Sequence, residues 1–141
     1  MSRFNAPRPG RQGGFTLLEM LAVIVLLGIV ATIVVRQVGG NVDKGKYGAG
    51  KAQLASLSMK VESYALDVGS PPANLQQLVT KPSGAQGWMG PYAKPSDLKD
   101  PFGHAFGYRY PGEHGSYDLI FFGQDGAPGG DGYKADLGNW Q

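Results

Sequence analysis

Apolar side chains are spread very unevenly along the chain. Residues 15–35, FTLLEMLAVIVLLGIVATIVV, carry one charge, Glu19, and no proline, so no face of a helix built from them is polar. Twenty-one residues at about 1.5 Å each match the roughly 30 Å hydrocarbon core of a bilayer. A soluble helix buried on every side is the alternative, but it would need more surrounding protein than the remaining residues offer. The segment reads as a membrane-spanning helix. Residues 39–50 follow with five glycines, each costing about 1 kcal/mol against Ala inside a helix. From Lys51 a helical period returns, with Leu54, Leu57, Val61, Tyr64, Ala65 and Val68 on one face, until Gly69-Ser70-Pro71-Pro72 stops it. A helix continuous over 15–68 would be about 80 Å long, its first half in lipid or subunit contacts and its second half packed on a small head.

Beyond residue 70 the pattern breaks into short pieces. Residues 74–80, NLQQLVT, suggest one short helix. Residues 106–110 and 118–122 are strand candidates joined through Pro111-Gly112-Glu113-His114-Gly115-Ser116, which predicts a small antiparallel sheet. Trp88, Tyr92, Phe102, Tyr108, Tyr110, Tyr117 and Trp140 are expected in the core or against the helix rather than on a ligand-stacking platform.

Composition sharpens this picture. The 141 residues allow one modest domain, and 23 Gly with 10 Pro require many turns. Arg3, Arg8 and Arg11 hold the excess positive charge ahead of residue 15, leaving ten basic against eleven acidic side chains beyond it. That balance argues against nucleic-acid binding, and the basic leader predicts a cytoplasmic N-terminus. The chain has no cysteine, so disulfide staples, thiolate nucleophiles and Cys-ligated zinc are ruled out.

A secretory signal would place its small-residue cleavage site after the apolar stretch. Here Gly13-Gly14 precedes it, and a cut after Gly14 would keep the helix and create an α-amine on Phe15. Glu19 would cost about 2.5 kcal/mol or more inside hydrocarbon without a partner. That amine, from the same or a neighbouring subunit, could supply the cation one helical turn away, and the helix N-terminus also favours the carboxylate. Snorkelling of Glu19 to the interface is the other reading.

Gly14-Phe15-Thr16-Leu17-Leu18-Glu19 with the apolar run behind it resembles the class III signal of type IV pilins and type II secretion pseudopilins. The resemblance implies that a prepilin peptidase cuts after Gly14 and methylates Phe15, and that Glu19 is the assembly residue. Val79-Thr80-Lys81-Pro82, Gly90-Pro91-Tyr92, Lys99-Asp100-Pro101-Phe102-Gly103, Tyr110-Pro111-Gly112-Glu113-His114-Gly115, and the segments from Gly123-Gln124-Asp125-Gly126 to Ala135-Asp136-Leu137-Gly138-Asn139-Trp140 are similar to the major pseudopilins of type II secretion. Type IV pilins usually close their C-terminal region with a disulfide, so the missing cysteine favours the pseudopilin branch. Two stretches depart from the family pattern: Ser70-Pro71-Pro72-Ala73-Asn74-Leu75 stands where a Tyr-Pro and acidic stretch is common, and Phe102 and His104 replace a Trp and an Asn.

Residues 122–136 place Asp125, Asp131 and Asp136 among glycines. Calcium takes six to eight hard oxygens, and glycines let carbonyls turn inward. The spacing is not that of an EF-hand, and a solvated Gly/Asp turn fits the residues equally well. The resemblance implies a structural Ca2+ site here, with Asp125 and Asp136 at its acidic positions, carbonyls near Phe122 and Gln124, and Asp131 as a further ligand candidate.

His104 and His114 sit in turn-like segments with no linked nucleophile, so no enzyme is expected. The glycines of 126–132 lack the Gly-Lys-Ser/Thr ending of a phosphate loop. The expected fold is α+β and type IV pilin-like: a leader over 1–14, a transmembrane and assembly helix over 15–35, its periplasmic continuation over 36–69, and a globular head over 70–141. The resemblance implies a subunit of a periplasmic pseudopilus that helps export folded proteins across the outer membrane. Its implied partners are copies of itself, minor pseudopilins, prepilin peptidase, the inner-membrane secretion platform, the outer-membrane secretin and, before assembly, the lipid bilayer of a Gram-negative inner membrane. A type IV pilin-like or competence pilus subunit is the alternative, and a monomeric membrane-anchored calcium module is the reading from a different class.

Overall fold

The computed structural model describes residue 10 and residues 13–141. One helix, α1, runs over Leu17–Val68. Short 3-10 turns follow at Leu75–Leu78 and Pro95–Leu98, then strands β1 (Gly107–Arg109) and β2 (Asp118–Phe121), a 3-10 turn at Gly132–Lys134, and strand β3 (Leu137–Gly138). The chain divides into two compact units, Met1–Val38 and Gly39–Gln141.

In the first unit α1 is long and apolar enough to cross a membrane, and none of its apolar window is buried within the chain. Leu18, Leu21, Ala22, Val25, Leu26 and Ile29 line a shallow, almost wholly apolar groove along it. The absence of polar positions leaves such a helix no face that prefers water.

The second unit holds the core. Leu54, Leu57, Val61 and Tyr64 are buried on one face of α1, as their spacing requires, against Leu78, Ala93, Phe106, Tyr117, Leu119 and Phe121. The helix ends where the sequence says it should: Gly69, at φ +97°, accepts the left-handed conformation that stops it, and its N–H donates to the Ala65 carbonyl at 2.8 Å. The glycine-rich residues 39–50 are helical throughout. The expected helix at 74–80 shortens to the single 3-10 turn Leu75–Leu78, and the N–H groups of Tyr92 and Ala93, further along the chain, both donate to its Leu78 carbonyl.

The sheet is antiparallel with order β1-β2-β3. Tyr108 pairs with Leu119, and Phe121 with Leu137. β2 carries the buried residues Leu119 and Phe121, and the Asn139 side chain extends the ladder by accepting from the Leu119 N–H at 2.9 Å. The two-residue β3 and the 3-10 turns at Pro95–Leu98 and Gly132–Lys134 have no counterpart in the sequence pattern, which is too short there to carry a period. The aromatic expectation holds for Trp88, Tyr92, Phe102 and Tyr108, which pack on the core, and for buried Tyr117. Tyr110 and Trp140 depart from it: both are about two-fifths exposed, and Trp140 stacks on the His114 ring at 3.8 Å.

Candidate assembly end and C-terminal loop

At the start of α1, Thr16 and Glu19 form a reciprocal cap. The Thr16 N–H donates to Glu19 Oε2 at 2.9 Å, and the Glu19 N–H donates to Thr16 Oγ1 at 3.2 Å. Each satisfies a backbone donor that the first helical turn leaves unpaired. The carboxylate anticipated as a partner for the Phe15 amine is thus held by its own helix end while residue 15 is still joined to Gly14. Thr16 was not singled out from the sequence, although the Thr-x-x-Glu spacing is the signature of this cap. Phe15 precedes it, 83% exposed, with Gly13 and Gly14 outside any regular element. The helix therefore starts two residues later than expected, at Leu17, because Thr16 takes the capping position.

The C-terminal loop is organised by glycines and by α1. Gly123 and Gly126 adopt φ +70° and +64°, and a Cβ on Gly126 would meet the His104 ring. The Gln124 N–H donates to the Tyr133 carbonyl at 2.7 Å, closing the loop on itself. Asp125 Oδ1 accepts from the Ala127 N–H at 3.2 Å, forming a local turn, and its side chain is exposed. Asp136 Oδ2 accepts from the Gly129 N–H at 2.8 Å, whereas its Oδ1 is buried with no hydrogen-bond partner. Asp131 is exposed and contributes its carbonyl to the 3-10 turn through the Lys134 N–H at 3.1 Å.

Among the described residues no three acidic or histidine side chains converge into a ready-made metal cluster. A cation here would have to combine one or two carboxylates with carbonyls, a hard-oxygen set that suits calcium. The orphaned Asp136 Oδ1 fits such a role, since a buried carboxylate oxygen without a donor is costly unless something positive faces it.

Two residues of α1 bond to this loop and a third packs against the strand that leads into it, and the sequence pattern marked none of these contacts. Gln124 Nε2 donates to Asp43 Oδ2 at 3.0 Å. The Tyr47 hydroxyl donates to the Ala135 carbonyl at 3.0 Å, and its ring lies 5.4 Å from Phe121 and 5.9 Å from Tyr133. Burial, with Asp136 adding to it, pushes the Tyr47 hydroxyl above its ordinary pKa and keeps it a donor. Gly50 is buried, and a Cβ there would run into the Phe121 ring.

Three carboxylates elsewhere in the head are structural. Asp118 is buried and accepts from the Glu113 and His114 N–H groups at 2.9 and 3.1 Å, with His114 Nδ1 at 3.1 Å. Burial alone would raise its pKa, but these bonds hold it below the usual carboxylate value. Asp97 pairs with Lys60 Nζ at 2.6 Å and accepts from the Lys94 N–H, which lowers its pKa. His104 packs on Gly126 and follows the buried Asp100, whose Oδ1 accepts from the Phe102 and His104 N–H groups.

These elements have clear relatives. The family model described as "Type II secretion system (T2SS), protein G" matches residues 37–140, and that of the prokaryotic N-terminal methylation motif matches residues 9–35. The type II secretion system core protein G of Xanthomonas campestris pv. campestris is 47% identical over 133 residues, covering 94% of this chain and 93% of that protein. Those of Pseudomonas aeruginosa and Vibrio cholerae are 37% and 38% identical, each over 92% of this chain and over 96% and 92% of their own lengths. The crystal structure of the major pseudopilin from the type 2 secretion system of enterohaemorrhagic Escherichia coli superposes with a TM-score of 0.57 at 27% identity, covering 72% of this chain and 91% of that one. A capped apolar helix behind a methylation motif, followed by a head of this topology, gives one conclusion: the chain belongs to the type II secretion system protein G family.

Proposed function

We propose that this chain, a major pseudopilin by family, is cut after Gly14, N-methylated on Phe15 and polymerised through its apolar helix into a periplasmic pseudopilus that drives export of folded proteins. The observation that carries the reading is the first unit of α1: a helix exposed along its whole apolar length, with its single carboxylate parked at the end where cleavage would create an amine. Before assembly, lipid covers the apolar surface and the Thr16 cap satisfies Glu19. In the filament, neighbouring helices replace lipid, and Glu19 exchanges the Thr16 N–H for the charged Phe15 amine of an adjacent subunit. Both bonds are made by the ionised carboxylate, but the amine brings a full positive charge that the neutral N–H lacks, and in a low-dielectric contact that Coulombic gain favours assembly. Minor pseudopilins, prepilin peptidase, the inner-membrane platform and the outer-membrane secretin are the partners of this cycle, and the head lies in the periplasm with the N-terminus in the cytoplasm.

The C-terminal loop is a calcium site in this reading, with Asp136 and Asp125 supplying carboxylates, Phe122 and Gln124 carbonyls, and Asp131 at its rim. The support is the unpartnered Asp136 Oδ1. A bound calcium ion would supply the positive charge that this oxygen lacks.

The test is the intact mass of the protein from membranes of cells with and without a prepilin peptidase. Peptidase-dependent loss of residues 1–14, with one methyl group on Phe15, is the expected result. A full-length, unmodified chain in both strains would overturn the assembly role of Gly14 and Glu19.

A further inference from the structure

Residues 39–50 of α1 contain five glycines, and four of them have no packing reason to be glycine. A Cβ at Gly39, Gly40, Gly45 or Gly48 would meet nothing within 4 Å; only Gly50 is closed off, by Phe121. At about 1 kcal/mol each relative to Ala, these residues make the stretch a poor helix on its own. Yet it is helical throughout. What it has instead of propensity is a line of contacts at one helical spacing: Asp43 to Gln124, Tyr47 to Ala135, and Gly50 beneath Phe121. Two of the partners, Gln124 and Ala135, lie in residues 122–136, whose own regular structure amounts to one 3-10 turn, and the third, Phe121, ends β2 immediately before it.

We infer that Asp43 and Tyr47, seated by the close approach of Gly50 to Phe121 at the end of β2, form a latch that makes residues 43–50 of the helix and the loop over 122–136 one cooperative unit, with Asp43 and Tyr47 as positioning residues for the loop's cation site. The glycine-rich turns gain little from propensity and the loop little from regular structure, so each is ordered in part by the other. Tyr47 is central because it grips the carbonyl of Ala135, the residue next to Asp136, and so fixes the backbone that presents the orphaned Oδ1. The cation part of the inference rests on the calcium reading above; the latch itself does not. Coupling between two sites is reciprocal. A cation that orders the loop therefore slows opening of the glycine-rich helix, and loss of the latch weakens cation binding by the same factor.

Hydrogen exchange on the full-length chain in detergent micelles tests this, with calcium chloride or a chelator present and terbium luminescence read on the same samples. The variants are Tyr47→Phe, which keeps the ring and removes the hydroxyl, and Tyr47→Phe combined with Asp43→Ala. In chelator, the double variant is expected to exchange about tenfold faster or more at residues 43–50 and 122–136 together, while residues 54–64 keep their protection. In the unsubstituted chain calcium should slow both segments, and the double variant should bind terbium more weakly by a factor matching that slowing. Faster exchange in one segment only, or calcium slowing the loop without the helix, would overturn the inference. If the double variant also loses protection at residues 54–64, Tyr47→Phe alone decides by the same criterion. Absence of terbium binding to the unsubstituted chain would sink the calcium reading and leave the latch to be judged on the chelator data.

Discussion

In the first unit of the chain Leu17, Ile24 and Leu26 are 60–90% exposed; in the second, Val61, Leu119 and Phe121 are fully buried. Both units are rich in aliphatic residues, and both are built on the same helix. The difference lies in where the apolar surface finds its partner. Residues 17–38 have no polar face and no covering segment within the first unit, so their burial is left to lipid or to other copies of the chain. Residues from 54 onward alternate with polar positions at helical spacing and find their partners within the same unit. One helix thus carries an intermolecular interaction surface and an intramolecular core, and substitutions in the two parts should have separable effects.

The largest separation is expected at Glu19. Glu19→Ala should abolish filaments in electron micrographs while leaving membrane insertion and head folding intact, because among the described residues its side chain hydrogen-bonds to Thr16 and lies far along the chain from the buried core. Normal filaments from this variant would remove the distinction between the units. Phe121→Ala should do the reverse, unfolding the head by about 3–5 kcal/mol in chemical denaturation while leaving insertion unaffected. Phe121 contacts Tyr47, Phe102 and Phe106 as well as Gly50, so its loss empties the centre of the unit.

A smaller and more discriminating pair compares glycines within one stretch. Gly50→Ala should destabilise the head by about 1–3 kcal/mol because the ring has no room to retreat, whereas Gly45→Ala should stabilise it by about 1 kcal/mol. Equal effects from the two would mean that the Phe121 contact does not constrain the helix. Acid should also divide the molecule. Asp118 and Asp97 have folded pKa values below those of the unfolded chain. Their contribution is full above about pH 4 and is lost as pH falls through the lower folded values. Circular dichroism should therefore show head tertiary structure failing below about pH 4, before the helical signal of the apolar N-terminal segment. The smallest effect is expected from Thr16→Val, which removes one cap bond worth about 1 kcal/mol and should raise exchange only at the first turn of α1.

Much of this architecture is written in periodicity. The apolar run at 15–35, the face from Leu54 to Val68 and the glycine stop at 69 were readable because long elements repeat their signal several times. The two strands were readable to within a residue or two. β3 was not, since two residues cannot display an alternation, and its position is fixed by Asn139 and by pairing with Phe121. The proposed processing residues Gly14 and Phe15 and the proposed assembly residue Glu19 stand out by chemistry, as a glycine pair before an apolar run and a lone charge inside it. The loop carboxylates stood out as a group of three, but tertiary structure treats them unequally: Asp136 has a buried oxygen, while Asp125 and Asp131 are exposed. Asp43 and Tyr47 were invisible because their meaning depends on partners far along the chain.

That distance has a cost in time. Tyr47 and Ala135 are 88 residues apart, and at about 5–20 residues per second a ribosome needs roughly 4–18 s to make the chain between them. For most of that interval the newly made helix has neither its latch nor the sheet residues that bury Leu57 and Val61, because Phe121 and Gln124 are made only near its end. Maturation of the head is therefore a late event in the life of each molecule, completed only after the apolar N-terminal segment has long since left the ribosome.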